Sequence, residues 1–462
     1  MKKLFSLIAV MALALSLSAC STDDLEKQIS DLEAQIATLQ TEGTADETTI
    51  ANLQAQIADL QTAALVDQAQ IEYLEDLVAE LQDTLFDNIV KLTLTDVDGE
   101  SHDYAVGYDD DFTGTMFDLL VANFDVEYST STYGNMLLAI NGVKPLNGAY
   151  ISISKNGEAS MVGIDAITFA DGDKFTFEVL WYNTTEEAVY NSLKLFLENK
   201  VEDYTSATNM DYNVVAGLAQ LGILEDYVTQ TEVDTYIATL DPANAFNPVS
   251  AYFKIIMLVE ATGGDATTYY QALNNVAATG PYGQTAYALL GLDAASHTND
   301  YSGYLTNALA YFTNTATTPT ALDLDAGGIS LVALAKYKDE TGIQAIIDEF
   351  STHVSTNQLA SGGIMTQDFG WGSSENASSI SQTILGLISC SVDPTGTDFT
   401  KGTNNLVSRL VEFQVANGLF DWVLTDETAD DPAFSTPQAF LALATYQTYS
   451  NHNEAINPFD FN

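Results

Sequence analysis

Apolar residues recur with a seven-residue period over residues 25–86. Leucine occupies heptad position d at residues 25, 32, 39, 53, 60, 74 and 81, and isoleucine or valine occupies position a at residues 29, 36, 50, 57, 71 and 78. Isoleucine at a with leucine at d favours a parallel two-stranded coiled coil. Gly43 and Asp46 interrupt the apolar stripe. The pattern predicts a coiled-coil stalk that forms a homodimer, with a trimer or a folded-back hairpin as alternatives.

Residues 88–183 show alternation of apolar and polar positions instead. Two strands are expected near 89–97 and 102–108, and Asp98-Gly99 between them is typical of a hairpin turn. Further alternating runs lie near 136–140, 149–154 and 174–181, and a short amphipathic helix is expected near 115–122. The pattern predicts a small, compact α+β domain.

Residues 186–457 change to a helical period. Twelve apolar segments follow one another, and every second one carries small residues, as in Tyr287–Leu292 and Gln382–Leu387. Small residues allow close approach and suit an inner ring of helices, whereas the ordinary amphipathic segments between them suit an outer ring. We therefore predict an all-α α6/α6 toroid, and a multidomain chain of coiled-coil stalk, small α+β domain and toroid.

The N-terminus has the features of a secretory signal peptide, with Met1-Lys-Lys3 before an apolar run from Leu4 to Leu17. Leu17-Ser-Ala-Cys20 resembles the lipobox of bacterial lipoproteins. This resemblance implies removal of residues 1–19, lipid attachment at Cys20 and a lipidated tether over residues 20–24. It also implies anchoring at the extracellular face of the cell membrane. No later apolar run reaches the ~20 residues that span a bilayer.

Acidic residues strongly outnumber basic ones. The chain has 64 Asp and Glu against 14 Lys and Arg, for a net charge of −50. Because binding to phosphate backbones requires a basic surface, we predict that nucleic acid is not a partner.

The domain at residues 88–183 resembles the C-terminal β domain of transcobalamin and intrinsic factor, which has a β-grasp-like fold. The residues that carry the resemblance are Tyr133-Gly134, Ile140-Asn-Gly142, Tyr150, Asn156-Gly157, Gly163-Ile164, Asp171-Gly-Asp173 and Trp181. It implies ligand-binding roles for Tyr133, Asn141 and Tyr150. That family often has Tyr-Trp where this chain has Tyr150-Ile151, so one expected aromatic residue is missing.

The helical region looks like the toroids of terpenoid cyclases and protein prenyltransferases, a superfamily that includes the cobalamin-binding α domain of transcobalamin. Asn376-Ala-Ser-Ser379 and Phe434-Ser-Thr-Pro437 resemble its inner-helix starts. Transcobalamin has its toroid before its β domain, whereas this chain has the reverse order. The resemblance implies that cobalamin or another corrinoid binds between toroid and β domain.

The catalytic residues of that superfamily are not apparent. Asp323-Leu-Asp325 lacks the second carboxylate pair of the cyclase motif, and Cys390 has no neighbouring zinc ligands in the sequence. The four histidines are scattered, which disfavours a zinc site. We predict a protein that is not an enzyme, requires no cofactor and holds no metal.

Two stretches of the helical region combine a loop, polar capping residues and an apolar helix, and they bear the candidate ligand contacts. Helix N-termini, amides, hydroxyls and aromatic rings suit a large, mostly neutral ligand. The alternative for the polar residues is capping or hydrogen bonding between helices, and for the aromatic residues it is packing. The candidates are Phe369, Trp371, Asn376, Ser378, Ser379, Gln382, Trp422, Ser435, Thr436 and Gln438.

The leading hypothesis is therefore a cell-surface lipoprotein that binds a bulky small molecule. The alternative is a surface adhesion or scaffold protein that presents its toroid to protein or glycan partners. A deep cleft favours the first hypothesis, and a cleft filled by side chains favours the second.

We predict that a peptide covering residues 25–85 is helical and dimeric at micromolar concentration. Each apolar residue at a or d contributes about 1.5–3 kcal/mol when fully buried, which outweighs the interruption at Gly43 and Asp46. Analytical ultracentrifugation with circular dichroism tests this. A monomer would indicate a hairpin or spacer, and a trimer would contradict the rule used for positions a and d.

Overall fold

The computed structural model describes residues 88–132, 134–279, 286–294, 323–366, 373–424 and 432–461, together with residues 306, 308–310, 312, 313 and 368. The chain divides into two compact units, with the boundary between Tyr182 and Asn183. The predicted signal peptide, the tether with Cys20 and the coiled-coil stalk lie outside the described residues. Within the described part, no helix is both long and apolar enough to cross a membrane.

The first unit contains a five-stranded mixed sheet and a separate two-stranded hairpin. In the sheet, β1 lies between an antiparallel β2 and a parallel β7, and β7 pairs in turn with an antiparallel β5, which pairs with β6. Strands β3 and β4 form the hairpin. The elements are β1 (Asn88–Thr95), β2 (Ser101–Tyr108), α1 (Met116–Asn123), β3 (Val126–Ser131), β4 (Gly134–Ile140), β5 (Ala149–Lys155), β6 (Glu158–Ala159) and β7 (Lys174–Trp181).

Alternation along the strands buries one face of this sheet. In β1, Val90, Leu92 and Leu94 are at most 1% exposed, while the residues between them face outward. Phe175 and Phe177 of β7 repeat the pattern. These side chains pack with α1 in one apolar core. The prediction of a small β-sheet domain is therefore confirmed.

The second unit is mainly helical, and its helices reproduce most of the predicted segments. Two short hairpins, β8 (Thr205–Ser206) with β9 (Asn209–Met210) and β10 (Thr400–Lys401) with β11 (Asn404–Asn405), interrupt them. The helices are α2 (Thr184–Asn199), α3 (Tyr212–Leu221), α4 (Gln230–Ile237), α5 (Pro248–Ala261), α6 (Thr267–Thr279), α7 (Ala286–Asp293), α8 (Leu324–Leu334), α9 (Ile343–Asn357), α10 (Ala377–Ser389), α11 (Leu406–Val411) and α12 (Pro432–His452).

Six of these helices contact one another in cyclic order. Each of α3, α5, α7, α8, α10 and α12 contacts the next, and α12 contacts α3. We call these six helices the helical ring. They are the segments in which small residues were noted, whereas α2, α4, α6, α9 and α11 contact one or two ring helices each. A helical C-terminal region is thus confirmed, while a complete α6/α6 toroid stays a prediction.

The closest approach within the helical ring is between α8 and α10. All 13 residues of α10 are buried, as are nine of the 11 residues of α8. A Cβ on Gly328 would overlap the carbonyl oxygen of Gln382, and one on Gly386 would lie 2.6 Å from the carbonyl oxygen of Gly328. Glycine at both positions therefore lets the two backbones touch.

Candidate functional site

The two loop-and-helix stretches predicted from the sequence adjoin each other at the starts of α10 and α12. The backbone N–H of Ala377 donates to the carbonyl of Trp422 at 3.0 Å. The Ser435 hydroxyl donates to the carbonyl of Phe420 at 2.6 Å, and the Phe420 N–H donates to the Thr436 hydroxyl oxygen at 2.8 Å. The structure therefore brings four candidate residues, Asn376, Trp422, Ser435 and Thr436, to one junction.

Three of these four residues have internal roles. The Asn376 side-chain oxygen accepts the N–H of Ser379 at 2.9 Å and caps α10. Ser435 and Thr436 hold the Phe420 loop through the bonds just described. Trp422 differs, because its side chain is 41% exposed. Capping and loop fixation thus account for Asn376, Ser435 and Thr436 without a ligand.

A partly buried ion pair fixes the segment before α10. Arg409, the single arginine of the chain, binds Glu375 through two bonds, Nε to Oε1 at 2.8 Å and Nη2 to Oε2 at 2.7 Å. The Ser361 hydroxyl also donates to Glu375, at 3.0 Å. Bidentate pairing of this kind sets geometry as well as energy. It holds the loop that leads into the Asn376 cap.

Other candidate side chains on α10 and α12 have buried oxygen atoms without a partner among the described residues. They are the hydroxyls of Ser378 and Ser379 and the side-chain carbonyl oxygens of Gln382 and Gln438. Ser378 and Gln382 are one turn apart and lie on one face of α10. A buried polar atom without a hydrogen bond costs about 1–3 kcal/mol, so these atoms are sites where a ligand donor would be favourable.

The N-terminal ends of four ring helices meet around Asp325 and Tyr287. Asp325, in the first turn of α8, lies beside the Ser379 hydroxyl of α10. Tyr287 of α7 is hydrogen-bonded to Tyr212, the first residue of α3. Burial and the negative charge of Asp325 raise the pKa of Tyr287. The side chains of α3, α7, α8 and α10 therefore converge at this end of the helical ring.

Asp325 is the acidic group at this end of the helical ring. It is exposed, yet desolvation by surrounding protein raises its pKa. The hydroxyl of Ser379 opposes this increase, and the charge of Asp323 adds to it. Asp325 was noted in the sequence as half of an incomplete cyclase motif, but its position between α7 and α10 was not anticipated.

The chain after α12 lies beside the C-terminal ends of α7, α8 and α10 and reaches from there to the first residue of α3. Phe459 is 4% exposed; its ring stacks on Tyr212, with centroids 6.0 Å apart, and meets Phe253 edge-on at 5.4 Å. The carbonyl of Ile456 accepts the Ser389 hydroxyl at 2.9 Å. A cavity of about 580 Å³ remains beside this segment. The aromatic run that includes Phe459 was a signal that sequence reasoning missed.

The two described candidate residues of the first unit lie in different environments, one in a turn and one on the exposed face of the sheet. Asn141 adopts a positive φ of 46°, and its side-chain oxygen accepts the N–H of Asp125 at 3.0 Å, so it serves a turn. Tyr150 is 46% exposed and lies opposite Leu180 on the outer face of the sheet. Its ring is 6.4 Å from that of Tyr182. Three further candidates, Tyr133, Phe369 and Trp371, lie outside the described residues.

Metal ligands and reactive groups were also sought in the described part of the chain. There, no group of three or more His, Cys, Asp or Glu side chains could hold a metal ion. Burial raises the pKa of the Cys390 thiol to about 12, so this thiol is protonated at neutral pH. A protonated, largely buried thiol is a poor nucleophile.

Comparison with known proteins finds a family match in part of the first unit. Residues 114–181, from the start of α1 to the end of β7, match a family model described as a domain of unknown function, DUF4430.

Among solved structures, the chain is similar to one from Ruminococcus gnavus described as a "putative metal binding protein". The two are 18% identical, and the alignment covers 21% of this chain and 98% of that one, with a TM-score of 0.19. At that score the similarity carries no argument about function. A comparison with curated proteins finds no match.

A buried carboxyl group, Glu186 of α2, lies at some distance from this junction. It is 6% exposed and accepts hydrogen bonds from Tyr446 at 2.7 Å and Ser450 at 3.1 Å. Desolvation raises the pKa of Glu186 despite these two bonds. Tyr446 is ten residues along α12 from Thr436, about 15 Å at the helical rise. Glu186 therefore serves the packing of α2 on α12 rather than the candidate site.

We predict that ionisation of buried Glu186 lowers the free energy of unfolding as the pH rises. Its pKa is raised in the folded state, so its contribution is complete below about pH 4.5 and is lost as the pH passes the folded value. The melting temperature of Glu186→Gln should therefore exceed that of the unmodified protein by more at pH 7 than at pH 4. Each unit of pKa shift corresponds to about 1.4 kcal/mol.

Thermal unfolding followed by circular dichroism measures this difference. Glu198→Gln, at an exposed position of the same helix, is the matched control and should show no such dependence. A difference that is constant from pH 4 to pH 7 would contradict the assignment.

Proposed function

We propose that this chain is a non-enzymatic, ligand-binding lipoprotein whose helical region is an α/α toroid. Its ligand is a bulky, mostly neutral small molecule with hydrogen-bond donors at its periphery, and cobalamin or another corrinoid is the candidate. The proposed binding surface is a recess at the end of the helical ring where α8, α10 and α12 begin. The cyclic contacts of the helical ring support the toroid.

The observation that carries this proposal is the set of buried oxygen atoms without partners on α10 and α12. Other polar side chains of α10 form backbone bonds, since the hydroxyls of Ser381 and Thr383 donate to carbonyls one turn earlier at 2.7 and 2.8 Å. Ser378 and Gln382 differ from them. Corrinoids carry peripheral amide groups, whose N–H groups would satisfy such oxygens. A bound ligand would therefore supply the hydrogen-bond donors that these oxygens lack in the described part of the chain.

The surface proposed for the ligand is open to solvent. Asp325 is exposed at this end of the helical ring, and Trp422, at the junction of the α10 and α12 starts, is 41% exposed. An exposed indole near amide and hydroxyl groups offers both apolar contact and hydrogen bonding, as ligand sites commonly do.

A second candidate function is presentation of this surface to a protein or glycan. Trp422 and Phe434 are 41% and 55% exposed near the same junction. Exposed aromatic residues are enriched in protein interfaces. Under this alternative the recess binds no corrinoid.

We expect the purified protein to bind cyanocobalamin in a calorimetric titration. Gln382→Leu should weaken binding about tenfold, which corresponds to one hydrogen bond of about 1.4 kcal/mol. The same variant should melt no lower than the unmodified protein, because it removes a buried oxygen that has no partner among the described residues.

Gln344→Leu, at an exposed position of α9, is the control and should leave affinity unchanged. A lower melting temperature for Gln382→Leu with unchanged affinity would show a structural role and contradict the proposal. Failure of both cyanocobalamin and dicyanocobinamide to bind would favour the scaffold function.

The lipid anchor and the extracellular location are part of the same proposal. They rest on the lipobox-like sequence that ends at Cys20, and the stalk would hold two copies of the chain together. We predict that Cys20→Ala abolishes incorporation of radiolabelled palmitate and leaves the signal peptide uncleaved, whereas Ser21→Ala retains both. Unchanged labelling of Cys20→Ala would exclude this attachment site.

A further inference from the structure

A smaller pocket, separate from the cavity beside Phe459, lies between the start of α3 and the helices α4 and α5. Its volume is about 250 Å³, below the roughly 300–1,000 Å³ of sites for drug-sized ligands. Leu240, Ile255 and Leu258 contribute apolar walls, and Asp211, Tyr236, Asp241 and Lys254 contribute polar groups. The pocket thus suits a small ligand with both an apolar and a charged part.

Asp211 is the acidic group of this pocket. One of its carboxylate oxygens accepts the N–H of Asn213 at 2.8 Å and caps α3. Burial raises the pKa of Asp211, and the nearby ammonium of Lys254 opposes that effect. Burial and the negative charge of Asp211 also raise the pKa of Tyr236. The carboxyl group therefore faces the pocket with only part of its hydrogen-bonding capacity used by the helix cap.

Lys254 is the basic group of the pocket. Lys194, Lys200, Lys336 and Arg409 each form an ion pair with a carboxylate, whereas Lys254 forms none with a described residue. Its ammonium lies 5.3 Å from the centre of the Tyr212 ring, and its charge acts on Asp211. An exposed ammonium beside an apolar pocket is well placed to bind a carboxylate.

We propose that this pocket binds a free α-amino acid with an aliphatic side chain. Its ammonium would bind Asp211, its carboxylate would bind Lys254, and its side chain would contact Leu240, Ile255 and Leu258. Opposite charges on two walls of one small pocket match a zwitterion, in which both charges are a few ångströms apart. A simple carboxylic acid would place its negative charge near Asp211 without compensation.

Calorimetric titration of the purified full-length chain with L-leucine tests this proposal. N-acetyl-L-leucine lacks the ammonium and L-leucinamide lacks the carboxylate, and each should bind at least tenfold more weakly than leucine. Asp211→Asn should weaken leucine binding at least tenfold while retaining the cap, because asparagine caps helices as well as aspartate does. Lys254→Met should have an effect of similar size.

The variants also identify which charge each residue binds. In Asp211→Asn the preference for leucine over N-acetyl-leucine should shrink, and in Lys254→Met the preference over leucinamide should shrink. Asp234→Asn and Lys338→Met, at exposed positions, are the matched controls and should bind leucine normally. Equal melting temperatures establish that each variant is folded.

Three results would overturn the proposal: no binding of leucine, equal binding of leucine and N-acetyl-leucine, or normal binding by both pocket variants. None of them bears on the recess near Gln382, whose test uses a different ligand and different variants. Conversely, absence of corrinoid binding leaves the amino-acid titration fully interpretable.

Discussion

The backbone contact between α8 and α10 is the constraint on which the helical ring depends. Gly328 and Gly386 let the two helices approach until a Cβ on either would collide with the facing backbone. Each helix is then buried almost all round, so its apolar residues are covered without a large side chain between them. Any larger residue at these positions would separate the helices and shift their contacts with α7 and α12.

Such close packing restricts the polar residues of α10. Inside a dry interface, a hydroxyl group normally bonds to a carbonyl of its own helix, and Ser381 and Thr383 do so. Ser378 and Gln382 lie on one face of α10, and their side-chain oxygens lack partners in the described part of the chain. Helix α10 therefore carries two kinds of polar side chain. Those of Ser381 and Thr383 bond to the helix itself, and those of Ser378 and Gln382 could bond to a ligand.

Periodicity in the sequence predicted the classes of structure well. Alternation in Val90, Leu92 and Leu94 indicated a half-buried strand, and small residues marked the six helices that contact in cyclic order. Apolar spacing over residues 400–416 predicts a single helical segment there, and this prediction was wrong in detail. A hairpin with Gly402 at a φ of 71° occupies its start, and α11 begins only after Asn405, which caps it. The turn was hidden because the apolar spacing continues through it.

Much of the candidate site could not be predicted, because it depends on contacts between distant parts of the chain. Arg409 and Glu375 are 34 residues apart, and no local pattern indicates that they pair. Asp325, Tyr287 and Tyr212 likewise come from three helices. The capping role of Asn376 was foreseen as an alternative, since this residue type commonly bonds to nearby backbone. For Ser435 and Thr436 the alternatives were capping and bonds between helices, whereas both residues bond to the loop residue Phe420.

The contact between α12 and α3 has a consequence for synthesis of the chain. These helices are more than 200 residues apart in sequence, and Phe459 packs against Tyr212 only after α12 has been made. Non-local contacts of this kind form late, and partly made chains expose apolar surface. On the ribosome, α3 and its neighbours must therefore wait for the last helix, with their apolar faces uncovered. A nascent chain of this protein would need its apolar faces protected, as by a chaperone, until α12 has been translated.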